Sequence, residues 1–390
     1  METKLENGKL RIRLPERITS TNAQDVQNET KRILNESATK SFQLDAADMS
    51  YISSAGLRVL LAFTKAGYDF EIINVLPSAY DVFDVTGFSK LLKIKKAYRE
   101  MSIEGLPVIG IGATSKVYRV DKDTILKVFS PDRPLELIEK EIQHAKDAFL
   151  MGVTTAISYD IVKVGDSFGT VFELLNSKTL SEMLQEYPER EEELITNYAR
   201  FMKNMHKVTL PKEEFGSEKD LLLEMLRKYS DKCTEEEYHM MSDVITAIPD
   251  RSTFVHGDFH PKNVMLQDGE PILIDMYEAS CAHPIFDIMS LGVLRILSDV
   301  VPDAMALNLA GMTCEQARKV WDKFLRVYFE TEDEGRLKEI NTVTLCYSAI
   351  RAWRICVMIP AFPPQLAAYS MGVFKKLYAA GGTDLDLLGL

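Results

Sequence analysis

The sequence predicts an α+β chain of two domains. A small αβ domain covers residues 1–99, and a bilobal domain covers 100–390, with a β-rich lobe at about 105–175 and a helical lobe at about 176–390. Three observations predict this division. The first hundred residues alternate strand-like and helix-like segments. From Leu106, short β-branched runs cluster around a glycine-containing turn. From about Thr179 to Ala380 the pattern is mostly helical, broken by a loop-and-strand stretch at Thr253–Asp275.

Leu10–Leu14 alternates apolar and basic side chains, a half-buried strand. Thr21-Asn22 can cap a helix over about Ala23–Leu34. Phe42–Leu44 is a short strand that enters a loop at Asp45–Tyr51. Ser53 and Ser54 precede a helix with Leu57, Leu60, Leu61 and Thr64 on one side. Phe70–Val75, apolar and β-branched, is a strand. Pro77-Ser78 opens a helix holding Val82, Phe83 and Val85, and Gly87 ends it. Lys93–Arg99 reads as a basic linker. Beyond it, Leu106–Gly112 and Lys116–Val120 are strands around a turn, and Asp121–Thr124 is a second turn. Ile125–Phe129 is a third strand, Glu136–Leu150 a helix ended near Gly152, and Thr170–Leu175 another strand. The run Glu189–Glu193 is a solvated helical face.

The composition is that of an ordinary globular chain, 46% hydrophobic and 27% charged. No stretch reaches the roughly 18 uninterrupted apolar residues of a spanning helix, and Met1–Lys4 opens no apolar signal segment, so a cytoplasmic protein without a membrane partner is expected. The five cysteines are widely spaced and form no C-x-x-C pair, which reads as buried free thiols rather than disulfides or a zinc site. The net charge of −12 divides into +2 over residues 1–100 and −14 over the rest. An acidic C-terminal part argues against nucleic-acid binding, where positive potential supplies affinity. It is compatible with a cationic small substrate.

The strongest signal is His256-Gly257-Asp258-Phe259-His260-Pro261-Lys262-Asn263, followed by Ile272-Leu273-Ile274-Asp275. Phosphoryl transfer asks a protein for an acceptor hydroxyl aimed in line and for metal to neutralise phosphate charge. Asp258 suits the first task, as base and orienter of the hydroxyl. Asn263 and Asp275 supply the hard oxygens that magnesium prefers. These residues resemble the aminoglycoside phosphotransferase and choline kinase family, whose loop reads H-G-D-x-x-x-x-N followed by I-D. The resemblance spans roughly residues 105–390 and implies the bilobal protein-kinase-like fold, with ATP and Mg²⁺ as cofactors.

The same resemblance implies roles for residues upstream. Gly110-Ile111-Gly112-Ala113-Thr114-Ser115 lies between two strands, as a phosphate-covering loop does. Gly110 and Gly112 permit close backbone approach, and Thr114 and Ser115 offer groups to the phosphates. Lys127 sits inside an apolar strand, where a charge is costly unless paired. It becomes the lysine on the α/β-phosphates, paired with Glu141 or, in another helix register, Glu139. The segment Phe172-Glu173-Leu174-Leu175 matches the hinge whose backbone, at Glu173 and Leu175, would hold adenine. His206 and Asp287 read as structural, with Asp287 bracing the catalytic loop, and His256 and His260 as loop-fixing residues. Arg351, Trp353 and Arg354 lie on a late helix where the family places substrate selectivity; by residue type they read first as core packing and surface salt bridges. The expected reaction moves the γ-phosphoryl group of ATP to a hydroxyl of a small molecule, with aminoglycosides, amino-alcohols and sugars all open as acceptors.

The first domain carries a second resemblance. Asp48-Met49-Ser50-Tyr51-Ile52-Ser53-Ser54-Ala55-Gly56-Leu57, with Val82–Phe88 later, resembles the STAS domain of bacterial anti-sigma factor antagonists over about residues 4–98. In that family a partner kinase phosphorylates a serine at a helix N-terminus, where N–H groups and the helix dipole favour an anion. Ser54 holds that position, and the alternative is that Ser53 and Ser54 only cap the helix. Two departures from the pattern bear on this choice: Ser53 stands for the usual Asp, and Ala55 for a second hydroxyl residue. The fusion leaves two further functions open, a protein kinase-like enzyme acting on Ser54 or a partner protein, and a nucleotide-sensing scaffold without turnover.

Overall fold

The computed structural model describes the chain except residues 7, 8, 38, 40, 113, 176, 211–214, 268 and 361. Two compact units emerge: Met1–Leu106 with Val128–Pro131 and Asp160–Val171, and then Pro107–Lys127, Asp132–Tyr159 and Phe172–Leu390.

The first unit is organised by β1 (Thr3–Glu6), β2 (Lys9–Arg13), β3 (Arg17–Ile18), β4 (Ser41–Asp45), β5 (Tyr51–Ile52), β6 (Asp69–Val75) and β7 (Lys93–Lys96). Five of these form one sheet in the order β1-β2-β4-β6-β7, and β3 pairs with β5 apart from it. β1 is antiparallel to β2 and the other sheet pairings are parallel. Parallel neighbours need crossovers, and α1 (Ala23–Glu36), α2 (Ser54–Lys65) and α3 (Pro77–Val85) supply them. The core forms where apolar strand residues meet these helices. Phe42 of β4 stacks on its register partner Phe70 of β6 at 5.3 Å, and Phe63 of α2 meets Phe42 edge-on at 6.1 Å. Offset and edge-on pairs of this kind add to the gain from burial.

The segment expected as a basic linker is in part structured. Lys93–Lys96 is the edge strand β7, with Ile94 against the core while Lys93 and Lys95 reach Asp69 and Glu71 at 2.9 and 2.8 Å. Lysines on an edge discourage further strand addition. The next residues form β8 (Arg99–Glu100), which pairs in parallel with the strand Ser158–Val164. The Arg99 guanidinium grips Asp160 through Nε and Nη2, and Tyr98 packs edge-on against Phe168.

The second unit opens with the hairpin of β9 (Val108–Ile111) and β10 (Ser115–Arg119), then the Thr124–Lys127 part of β11 (Thr124–Phe129) and the helix α4 (Leu135–Leu150). Its helical part includes Glu191–Met205, Glu218–Lys228, Ile285–Leu297, Cys314–Phe329, Glu334–Met358 and Pro364–Ala379. Ile285–Leu297 is buried on nearly every side, as a central core helix must be. It crosses Glu334–Met358 so closely that a Cβ on Gly292 would run into Ser348. Cys281, Cys314, Cys346 and Cys356 are buried free thiols, whereas Cys233 is half-buried. Among the described residues no helix is long and apolar enough to cross a membrane.

Candidate active site

Two short antiparallel pairings fix the motif. Phe254–Val255 pairs with Ser280–Cys281, and Val264–Gln267 pairs with Glu270–Leu273 in the register Val264↔Leu273. Ile274 N donates to Asn263 O at 3.0 Å, which sets Asp275 beside Asn263. The loop between turns at Gly257, φ 82°, where a Cβ would collide with the Glu278 carbonyl. Glycine is required there on both counts.

Asp287, fully buried, braces this loop through its backbone rather than through the His256 ring. Its two carboxylate oxygens accept the N–H groups of His256 (3.0 Å) and Gly257 (2.8 Å). His206 contacts the same carboxylate through Nε2 at 3.0 Å and Tyr328 Oη through Nδ1 at 2.6 Å. The His256 ring does separate work: Nδ1 accepts Asp258 N–H at 3.3 Å, so the protonated Nε2 donates to Ile274 O at 3.0 Å. His260 likewise accepts Lys262 N–H through Nδ1, which turns its Nε2–H toward Asp258 Oδ2 at 3.4 Å.

The Asp258 side chain is 40% exposed. Asn263 Nδ2 donates to its Oδ2 at 3.2 Å, and Arg351 Nη2 lies 3.4 Å from its Oδ1. Burial works against charge here. The adjacent His260 outweighs that, with Arg351 and His256, and the carboxyl is held below the usual carboxylate range. Asn263 spends its Nδ2 on Asp258, which leaves Oδ1 as the atom able to face a cation. Asp275 adopts a left-handed backbone, φ 63° and ψ 66°, a conformation that costs a non-glycine residue about 1–3 kcal/mol. Its half-exposed carboxylate lies 3.6 Å from Lys127 Nζ. Among the described residues no three His, Cys, Asp or Glu side chains converge as a metal cage. One amide oxygen and one carboxylate fit a magnesium ion that takes its other ligands from phosphates and water.

Lys127 of β11 donates to Glu141 Oε1 at 2.7 Å, so of the two candidates, Glu139 and Glu141, it is Glu141 that meets the lysine. Burial disfavours the ammonium, but Asp275 and Glu141 outweigh it and raise Lys127 above its usual value. Arg133 lies 3.7 Å from Glu141 Oε2 and stacks over Tyr277 at 4.1 Å. Gly110 ends up within β9 opposite Val117, and Gly112 closes the turn by donating to Ser115 O at 2.9 Å. Thr114 is exposed on that turn, Ser115 begins β10, and Ala113 lies outside the described residues. Glu173 ends a strand, and Leu174 N donates to Asp123 O at 2.7 Å, fixing the backbone on the way to Leu175. In the first unit, Ser53 Oγ accepts Gly56 N–H as the cap of α2, while Ser54 is exposed at the first helical position.

Two arginines near the motif were misplaced by residue type. Trp353 is core, but Arg351 and Arg354 are buried rather than on the surface. Arg351 touches Glu278 Oε2 at 3.0 Å and Glu218 Oε1 at 3.5 Å, and Arg354 touches the same two carboxylates at 3.6 and 3.5 Å. The four side chains form a closed ring of alternating charge. Burial, together with the charge of Glu278, pushes the Glu218 carboxyl up to about 7 against both arginines. The only sequence signal was two arginines three residues apart within an otherwise apolar stretch.

The profile of the phosphotransferase enzyme family (APH) matches residues 105–323, more than half of the chain, and that of the STAS domain matches residues 1–101. No curated protein matches. Similar solved structures include a choline/ethanolamine kinase family protein from Mesorhizobium loti, at 15% identity and TM-score 0.47, covering 73% of this chain and 92% of that one. ADP-bound aminoglycoside phosphotransferase APH(2'')-Ib is 13% identical with TM-score 0.47, covering 76% and 97%. Amicoumacin kinase hAmiN, in complex with AMP-PNP, Ca²⁺ and Ami, is 14% identical with TM-score 0.48, covering 78% and 95%.

Proposed function

From a chain that belongs to the phosphotransferase enzyme family and carries a STAS domain, we propose an ATP-dependent kinase that phosphorylates a hydroxyl of a small molecule, with the STAS domain as its regulatory or interaction module. The observation that carries this reading is the convergence of Asp258, Asn263, Asp275 and the Lys127–Glu141 pair within one unit. Asp258, ionised and partly exposed, accepts the proton of the acceptor hydroxyl and aims its oxygen. Lys127, kept charged by Glu141, takes the α/β-phosphates. Gly110 and Gly112, with Thr114 and Ser115, cover the phosphates, and the backbone at Glu173 and Leu175 holds the adenine. Asn263 and Asp275 hold magnesium, which when bound neutralises charge on the phosphate oxygens.

The test is ATP turnover by the purified protein with Mg²⁺ over pools of aminoglycosides, amino-alcohols, sugars and nucleosides. One pool should stimulate turnover that Asp258→Ala abolishes. Nucleotide binding with silence in every pool would sink the small-molecule reading and favour the scaffold.

A second reading is supported by the two serines of the STAS domain. Ser53 is engaged as the cap while Ser54 is exposed beside it, so Ser54 is the better phosphoacceptor. Peptide mapping after incubation with Mg-ATP should find phosphate on Ser54; an unmodified Ser54 would remove self-phosphorylation as a function.

A further inference from the structure

We propose that Arg351 is a positioning residue for Asp258, fixed for that task by the ring it forms with Glu218, Arg354 and Glu278. The proposal rests on the reading of Asp258 as the base. Asp258 Oδ2 is held from within its own loop, by Asn263 and His260. Those two contacts alone leave the carboxylate free to swing about its Cβ–Cγ bond. Arg351 supplies the third point, on Oδ1, from a helix 93 residues away in sequence.

Exposure decides between positioning and acceptor binding. The Arg351 side chain is 3% exposed, so it cannot reach an acceptor, whereas Asp258 is 40% exposed and can. A buried arginine free to pivot would hold nothing. Here Nη1 faces Glu218 and Nη2 faces both Glu278 and Asp258. Glu278 follows Asp275 by three residues, on the loop whose carbonyl forbids a Cβ at Gly257. Glu218 is the first residue of the helix Glu218–Lys228. The ring therefore ties the base to three elements at once: the Asp275 loop, that helix and the helix Glu334–Met358. Arg354 completes the charge balance of the ring, and among the described residues its ion pairs are with the two glutamates.

That asymmetry gives the test. Arg351→Met and Arg354→Met break the same ring, but only the first releases Asp258. Turnover is read as Mg-ATP hydrolysis with water as acceptor, alongside Mg-ADP affinity. Arg351→Met should lower kcat about 10–100-fold, the scale of a misaimed catalytic group, with the Mg-ADP Kd within about twofold of wild type. Arg354→Met should cost kcat less than about threefold, and Arg351→Lys should recover part of the loss. Equal losses in the two methionine variants, or full turnover in Arg351→Met, would overturn the proposal. A thermal-unfolding cycle over Arg351→Met, Asp258→Ala and the double variant reads the coupling without any turnover. The double variant should lose less Tm than the two singles together, and additive losses would overturn the contact. An Asp258→Ala protein as fast as wild type would fail the base assignment itself, a result distinct from either.

Discussion

At Asp258 three donors share two oxygens, and each tightens the carboxylate at some cost to its basicity. In the role of base proposed for it, Asp258 works by aim more than by proton affinity. Replacing it with alanine should lower kcat by about 10²–10⁴, the usual worth of a positioned acid–base group, and leave Mg-ADP affinity nearly unchanged. Asp275→Ala should instead raise the Kd for Mg-nucleotide and remove a counter-charge 3.6 Å from Lys127. Binding and single-turnover measurements on both variants separate these outcomes, and equal loss of affinity in the two would merge the roles. The motif residues were legible because their contacts are local: Asn263 is five residues from Asp258. Lys127 was legible as a charge in an apolar strand, although its partner was open between two registers. Arg351 was not, since its partners Glu278 and Asp258 lie 73 and 93 residues away. Nothing in a linear pattern separates an arginine buried by such partners from one on the surface.

Elements were legible where one face is buried and one is wet. α2 and β2 keep that alternation, and both form about where the pattern puts them. β7 hid itself because Ile94 is its single apolar residue, while Lys93 and Lys95 find carboxylates on the neighbouring strand. The strand Ser158–Val164 was missed for a related reason, since Asp160 and Lys163 interrupt its apolar run. The helix Glu334–Met358 is long and buried over most of its second half, so it shows no polar face to read. Its packing depends instead on one close approach. Gly292 lets the helix Ile285–Leu297 lie against Ser348, with Trp321 also near. Gly292→Ala must push these helices apart, and overpacking of this kind costs about 1–3 kcal/mol. The helix-propensity gain of about 1 kcal/mol for replacing glycine works the other way, so a net loss in Tm is expected. A Tm at or above that of wild type would show that the crossing is loose.

Across the whole molecule, the two units carry carboxylates whose pH dependence has opposite sign. In the first unit Glu71 is held at about 2 by its hydrogen bond from Lys95, then by Gln43 and Lys9, against burial. A value below the ordinary one means that its stabilisation is present above pH 4.5 and is lost as pH falls toward 2. In the second unit Glu218, pushed up to about 7, behaves the other way. Its contribution is full below pH 4.5 and is lost as pH rises through 7, because the folded state must then hold a buried charge. Acid should therefore weaken the STAS unit, and a rise from acid to neutral pH the phosphotransferase unit. Calorimetry over pH 2–9 on Glu71→Gln and Glu218→Gln isolates the two groups, since glutamine does not titrate. The difference in unfolding free energy between Glu218→Gln and wild type should grow in favour of the variant from pH 5 to 8, by an amount on the order of 1–3 kcal/mol. The deficit of Glu71→Gln should be largest at neutral pH and close as pH approaches 2. Curves parallel to wild type for Glu218→Gln would mean that the two arginines keep that carboxylate charged throughout. The ring that fixes Arg351 would then be indifferent to pH. A rising difference would instead mean that Glu218 is neutral in acid, so that its pairing with both arginines is complete only as pH rises through 7.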